Sequence, residues 1–367
     1  MSKKPMTDEQ KYKRGTRNRV ILLIVVILAI AGVGYAGAIT FYHQAEAAIK
    51  EKLGHFDHVS IDSEDLEIDK QVSEDLKDYR SILLLGVDAR ANQDVSKCRS
   101  DAMVVLTINK KTNKLALTSI MRDSFLYLDE GENYKVLDKL THAHVYGGPV
   151  NTIRAINRNL DLNITGYMRV NWRTVADLAD AFGGIEVNIK DYEIDEMNKY
   201  IKDTNRSLHG STKMIKKAGK QTLNGVQTVT YCRIRKVGNG DKERTLRMRR
   251  VVKQLVKKAT QMDLHKLSET ADEVLPQIQT SLDPDSLMTI LRGYREFEVN
   301  KSKTWPYKYA GLMIDNGSGH RLWYDVPITL ESNVIKLHEK VFKQKNYEPS
   351  DTVKEINQQI MIKAGAR

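Results

Sequence analysis

Apolar and polar positions along the 367-residue chain fall into distinct regimes. Val20–Tyr42 contains no charged residue and spans about 34 Å as a helix, enough to cross the roughly 30 Å hydrocarbon core of a bilayer. Ser81–Val87 is apolar without polar alternation, as for a strand buried on both faces. Ala102–Ile108, Leu115–Ile120, Tyr167–Val170 and Ile185–Ile189 read as further strands, and Leu322–Val326 as a strand-like piece of the tail. Helical spacing recurs in Arg173–Phe182 (Val175, Leu178, Ala179, Phe182), in Met248–Val256 (Met248, Val251, Val252, Leu255, Val256) and in Thr280–Phe297 (Leu287, Ile290, Leu291, Tyr294). Further helices are expected at Pro149–Asn159, after a Gly147-Gly148 turn, and near Leu330–Phe342.

Charge gives these elements an address. Residues 1–19 carry seven Lys or Arg against Asp8 and Glu9, while only Lys50 and Lys52 lie close beyond the apolar run. By the positive-inside rule the tail stays cytoplasmic and the rest of the chain faces outward. A cleaved signal peptide ending at Ala36-Gly37-Ala38 is the competing reading, against which the apolar run continues through Ile39, Phe41 and Tyr42. Residues 42–79 hold eleven acids and four bases and read as a spacer whose acids also have the means to hold the basic domain in place. With +5 on the tail and −7 on this stretch, the whole-chain net charge of +11 leaves +13 on residues 80–367, the main domain. An outward-facing basic domain, with only nineteen residues in the cytoplasm, argues against nucleic acid as a partner.

The densest candidate chemistry is Tyr231–Arg250. Its β-branched and aromatic start predicts a strand, which would point Arg233 and Arg235 to the same side. A Gly238–Gly240 loop follows, then Asp241, Arg244 and Arg247 lead into the amphipathic helix. Two like charges about 4 Å apart near a surface repel by roughly 4 kcal/mol, and a helix N-terminus adds free N–H groups, so the cluster calls for an anion such as phosphate. A solvated basic face is the plainer alternative. Strand ends deliver Asp88, Asp101 and Arg122; the carboxylates suit Mg²⁺ shared with a phosphate, or turn caps and pairs with Arg90 and Arg99. Cys98 and Cys232 each precede an arginine and are expected to bridge two segments of the site, or else to be buried thiols. His142 and His144 have spacing open to zinc but lack a third ligand at a suitable interval. Lys139 is expected to position ligand.

Five fragments in order resemble the LytR-CpsA-Psr family of Gram-positive cell-envelope proteins. They are Leu83-Leu84-Leu85-Gly86-Val87-Asp88-Ala89-Arg90; Arg99-Ser100-Asp101; Ser119-Ile120-Met121-Arg122-Asp123-Ser124; Lys139-Leu140-Thr141-His142-Ala143 with Gly147-Gly148; and Tyr231-Cys232-Arg233-Ile234-Arg235 through Asp241, Arg244 and Arg247. The resemblance covers about residues 80–300. It implies an α/β/α sandwich with a central mixed β-sheet, preceded by one N-terminal transmembrane helix, and an apolar cleft for a lipid tail. The implied organisation is a cytoplasmic tail (1–19), a membrane helix (20–42), a spacer (43–79), the catalytic domain (80–300) and a C-terminal extension completing or flanking it (301–367).

The implied activity is phosphotransfer of an envelope glycopolymer from an undecaprenyl-pyrophosphate carrier in the membrane lipid to a peptidoglycan acceptor hydroxyl. A non-catalytic binder and a polyprenyl-pyrophosphate pyrophosphatase are the alternatives. By motif, Arg122, Arg233, Arg235 and Arg244 would hold the pyrophosphate, helped by Lys139, Arg90, Arg99 and Arg247; Arg247 would alternatively support Asp241. Asp88 and Asp101 would hold Mg²⁺, and Asp88 is a candidate to take the hydroxyl proton. Met121 stands where the family usually has proline, which implies a looser Arg122 turn. Met248 stands where it usually has glutamine, which removes a polar group near the phosphates.

Overall fold

The computed structural model describes residues 51, 53–87, 94–112, 114–129, 135–238, 240–259, 274–287, 298–315 and 319–365. The membrane segment expected at 20–42 lies outside them, and no described helix is long and apolar enough to cross a membrane.

A seven-stranded sheet forms the centre. Its strands are β1 (Asp57–His58), β2 (Tyr79–Val87), β3 (Ser100–Asn109), β4 (Lys114–Ile120), β7 (Ile164–Asn171), β10 (Gln279–Thr280) and β11 (Glu298–Trp305), in the order β1-β10-β7-β2-β3-β4-β11. The sheet is mixed: β2 runs parallel to β7 and antiparallel to β3, and β11 runs parallel to β4. The lost alternation in β2 has a simple cause, since both of its faces are covered. Ile82 and Leu84 enter one core, Leu83 and Leu85 the other. Each such side chain contributes on the order of 1.5–3 kcal/mol by burial.

On the Ile82 side lie the helices α3 (Trp172–Ala181), α4 (Asp191–Leu208), α5 (Gly225–Arg233) and α6 (Gly240–Ala259), together with the β8–β9 hairpin (Ile185–Ile189, Gly219–Leu223). On the Leu83 side lie α2 (Leu140–Leu160), the β5–β6 hairpin (Phe125–Asp129, Lys135–Lys139) and the C-terminal helices α7 (Leu330–Leu337) and α8 (Asp351–Lys363). A separate hairpin, β12–β13 (Tyr309–Asp315, Arg321–Pro327), packs at the edge of this second layer through Tyr324 and Val326.

Four expectations change. First, the acidic stretch is no mere spacer. Leu53, Phe56, Leu66, Val72 and Leu76 are buried, and β1 adds a strand beside Gln279–Thr280. Asp69 caps the short α1 (Lys70–Asp75) by accepting from Gln71 N and Val72 N, and Glu67 pairs with Arg158, so some of these acids do fasten basic residues. Second, Tyr231-Cys232-Arg233 is helix. Asn224 and Gln227 form a reciprocal capping box at the start of α5, and an added Cβ on Gly225 would lie 2.5 Å from Ala176 O, so α5 seats close against α3. Third, the helix expected from Pro149 after the Gly147-Gly148 turn is present, with Gly148 at φ +65°, but an unforeseen helical segment from Leu140 precedes that turn. Fourth, the helix from Leu330 widens into a π-helical turn at His338–Phe342, and α8 follows it.

Candidate active site

Asp101 stands near the start of β3, where β3 meets the end of β2, and its side chain is only 3 % exposed. Three guanidinium groups from three segments converge on it. Arg122 donates to Oδ1, Arg244 donates to Oδ2, and Arg235 Nη2 lies 3.3 Å from the same Oδ2. Nearby, Lys139 Nζ is 3.1 Å from Asp123 Oδ1, and Arg122 Nε is 3.6 Å from that oxygen. Four cations thus face two carboxylates, and the excess positive charge is what an anionic ligand would neutralise.

Each arginine is delivered differently. Arg122 sits in the turn after β4, held by Met121 N donating to Trp305 O (2.9 Å) and Thr141 N donating to Arg122 O (2.9 Å). A proline at position 121 has no N–H to make the first of these bonds, so the turn expected to be looser is instead pinned to β11. Arg244 projects from the first turns of α6, is 3 % exposed, and has its Nε 3.4 Å from Cys232 O. Arg235 comes from the loop between α5 and α6 and is 44 % exposed, the most open of the three.

Arg233 departs from expectation. Because it ends a helix rather than lying on a strand, it does not share a direction with Arg235. It donates instead to Asp203 Oδ2 and Thr204 Oγ1 on α4, both at 3.1 Å. Arg247 departs further. It is fully buried, with Nε 2.7 Å from Glu193 Oε1, Nη1 3.0 Å from Ile234 O and Nη2 3.3 Å from Val237 O. Its guanidinium is a strut beneath the loop that carries Arg235, a correction to the ligand-binding role expected of it. Arg99 is exposed just before β3, while Asp88 and Arg90 lie outside the described residues.

The cysteine bridge is not formed. Cys98 and Cys232 are both buried thiols. Cys98 Sγ donates to Asp94 O at 3.3 Å, and burial pushes the Cys232 thiol up to about 12 despite the nearby Arg244 and Arg247. The two histidines serve separate partners. His144 is buried, with Nδ1–H donating to Cys98 O (2.6 Å) and Arg169 Nη1 3.4 Å from Nε2; burial pushes its pKa down to about 4, opposed by the Cys98 hydrogen bond and aided by the Arg169 charge. His142 instead meets Asp138 at 2.7 Å.

Among the described residues no three His, Cys, Asp or Glu side chains gather as a metal cage. A Mg²⁺ ion has no need of one, because one or two carboxylates with phosphate oxygens and water complete its shell. Asp101 is a hard, nearly buried oxygen donor of that kind, but both of its oxygens take guanidinium donors here, so an ion held by it would displace at least one of them.

Sequence reading missed Asp123, Glu193 and Asp203 as partners of the arginines. Asp123 carried a signal, being adjacent to Arg122. Glu193 and Asp203 sit in a polar helix far away in sequence and carried none.

The chain matches the profile of the LytR_cpsA_psr family over residues 38–325. It is 29% identical over 293 residues to the polyisoprenyl-teichoic acid–peptidoglycan teichoic acid transferase TagU of Bacillus subtilis, covering 79% of this chain and 86% of that one. With the Bacillus cereus protein of the same name it shares 30% identity over 313 residues, 83% of this chain and 90% of the other. Its fold is similar to that of protein gbs0355 from Streptococcus agalactiae, with a TM-score of 0.59, 24% identity, and 77% and 93% of the two chains covered. The mixed sheet, the ordered motifs and this match across most of the length place the chain in the LytR-CpsA-Psr family.

Proposed function

We propose that this protein is a membrane-anchored phosphotransferase that moves an envelope glycopolymer from a polyprenyl-pyrophosphate carrier to a peptidoglycan hydroxyl. The observation that carries the reading is the convergence of Arg122, Arg235 and Arg244 on Asp101, a preassembled cationic site with more positive charge than its carboxylates balance. Relatives named as teichoic acid transferases support the substrate class. Teichoic acid, capsule and other wall glycans are all chemically compatible cargo.

Phosphoryl transfer asks little covalent chemistry of a protein; it asks for alignment and for neutralisation of charge on the transferred group. Arg235, the exposed member, meets the incoming pyrophosphate first. Arg244 and Arg122 hold its oxygens from below, with Lys139 at the margin. Mg²⁺ held by Asp101 and Asp88 would supply Lewis-acid charge at the phosphate oxygens. Asp101 also keeps the three guanidinium groups from driving one another apart before substrate arrives.

The anchor is the uncharged segment 20–42, with the basic tail inside and the domain outside. One observation favours a second reading, a binder without turnover: Met248, at the family's usual glutamine position, packs against the apolar core of the helical layer and offers the phosphates no hydrogen bond.

Full-length protein in lipid nanodiscs, given a synthetic polyprenyl-pyrophosphate glycopolymer and a peptidoglycan oligomer, separates the readings. Joined product that needs Mg²⁺ supports transfer. Bound lipid with no product favours the binder, and released lipid phosphate without joining favours a pyrophosphatase.

A further inference from the structure

A hydroxyl that attacks phosphorus must lose its proton, and among the described residues the carboxylates of the cation cluster are poorly equipped to take it. Asp101 commits both oxygens to three arginines, and Asp123 faces Lys139 and Arg122. At the flank of the cluster stands a different arrangement. Asp138, at the end of β6, is 2 % exposed and divides its carboxylate between two elements. Its Oδ1 accepts from the Tyr324 hydroxyl at 2.9 Å, and its Oδ2 lies 2.7 Å from His142 Nδ1. Burial alone would push the Asp138 carboxyl up. The hydrogen bond from His142, with those from the Lys139 N–H and the Tyr324 hydroxyl, outweighs it and holds the group below its ordinary value, so it is ionised.

A carboxylate on Nδ1 fixes the imidazole as the Nδ1–H tautomer and leaves the lone pair on Nε2. His142 keeps 16 % of its side chain exposed, so that pair is within reach of a solvent-borne group. The dyad is tied to the arginines by a short chain of contacts. Lys139 Nζ lies over the Tyr324 ring, 5.5 Å from its centroid, and Asp123 joins Lys139 to Arg122. The groups facing His142 are Asp138 from β6, Tyr324 from β13 through the shared carboxylate, Lys139 at the start of α2, and Tyr146 one turn along α2 with its ring 6.1 Å away.

We propose that His142, oriented by Asp138, is the general base for the acceptor hydroxyl. This deepens the transferase reading and rests on it. The acceptor oxygen forms the new P–O bond while its proton passes to His142 Nε2. The P–O bond to the bridging pyrophosphate oxygen breaks, and its electron pair leaves on the polyprenyl monophosphate. The imidazolium then returns its proton to water. Imidazole suits the task because its second ring nitrogen offers a lone pair to the acceptor proton while the first is held by a carboxylate. His144, two residues on, is excluded by its burial and its bond to Cys98 O.

The test follows initial rates of polymer joining against pH in nanodisc-embedded full-length protein, with polyprenyl-pyrophosphate binding measured in parallel. The variants are His142→Gln, His142→Ala with and without added imidazole, and Asp138→Asn. Wild-type kcat/KM is expected to fall about tenfold per pH unit on its acid side. His142→Gln should lose roughly 10²- to 10⁴-fold in rate, and the acid limb with it, while binding lipid as wild type does. Imidazole should restore part of the His142→Ala rate, and Asp138→Asn should displace the limb. A His142→Gln protein that retains the wild-type limb, at whatever residual rate, overturns the proposal while leaving the transferase reading intact. A wild-type protein that binds the lipid and joins nothing removes the transferase reading itself.

Discussion

Arg247 and Glu193 form an ion pair with neither side chain exposed, 2.7 Å from Nε to Oε1, and the same guanidinium holds the carbonyls of Ile234 and Val237 on either side of Arg235. The position of the most open arginine of the site thus depends on a buried charge pair that never meets the ligand.

Removing one member of a buried pair strands the other, which costs about 3–5 kcal/mol. Arg247→Ala and Glu193→Ala are each expected to destabilise the protein by that amount, while a double change to apolar residues of similar volume costs less than either. Denaturant melts of the three variants check this, and equal additive losses would argue against the strut.

Asp101 has a different duty, because its carboxylate separates three guanidinium groups. Asp101→Ala is expected to lower the melting temperature most at low ionic strength, and added salt or inorganic pyrophosphate is expected to recover part of the loss. Melts across a salt series with and without pyrophosphate give the answer. A salt-independent loss would mean that only packing had been disturbed.

His144 sets a pH dependence. Its pKa is pushed down to about 4 in the folded chain, from 6.5, so below 6.5 the unfolded chain binds the extra proton. Stability is therefore complete above about pH 6.5 and is lost as pH falls toward 4, by roughly 3 kcal/mol at the limit. Melting temperature against pH should show this slope, and His144→Gln should flatten it between those values. His338, also lowered chiefly by burial, adds a slope of the same sign.

If Mg²⁺ is shared with the pyrophosphate rather than caged by the fold, removing divalent metal with a chelator is expected to stop polymer joining while leaving the thermal melt of the substrate-free protein unchanged. Titration with Mg²⁺ should restore activity. Full turnover in chelator would remove the metal from the account.

Much of the central sheet was legible because its physical causes are local. Ile82–Leu85 has no alternation, and both of its faces are indeed covered. The misreading of Tyr231–Arg235 has an equally local origin. Its residue types favour a strand, but the Asn224–Gln227 capping box upstream and the close approach of Gly225 to α3 decide the fold. The last helix, Asp351–Lys363, did carry a signal: Ser350 as cap, with Val353, Ile356 and Ile360 at helical spacing.

At the site, sequence identified Asp101, Arg122, Arg235 and Arg244 as candidates. It ranked Arg247 below Arg244 but gave no sign of the partner that buries it. They lie three residues apart on one helix, and only the distant Glu193 draws the second into the core.

The most direct test of the central claim compares the affinity of full-length protein for a polyprenyl pyrophosphate and for the corresponding monophosphate, in wild type, Arg235→Ala and Arg244→Gln. The pyrophosphate is expected to bind more tightly, and each substitution to weaken it by about tenfold or more, as expected for loss of a charge-assisted hydrogen bond. Affinities that ignore both arginines and do not distinguish the two lipids would contradict it.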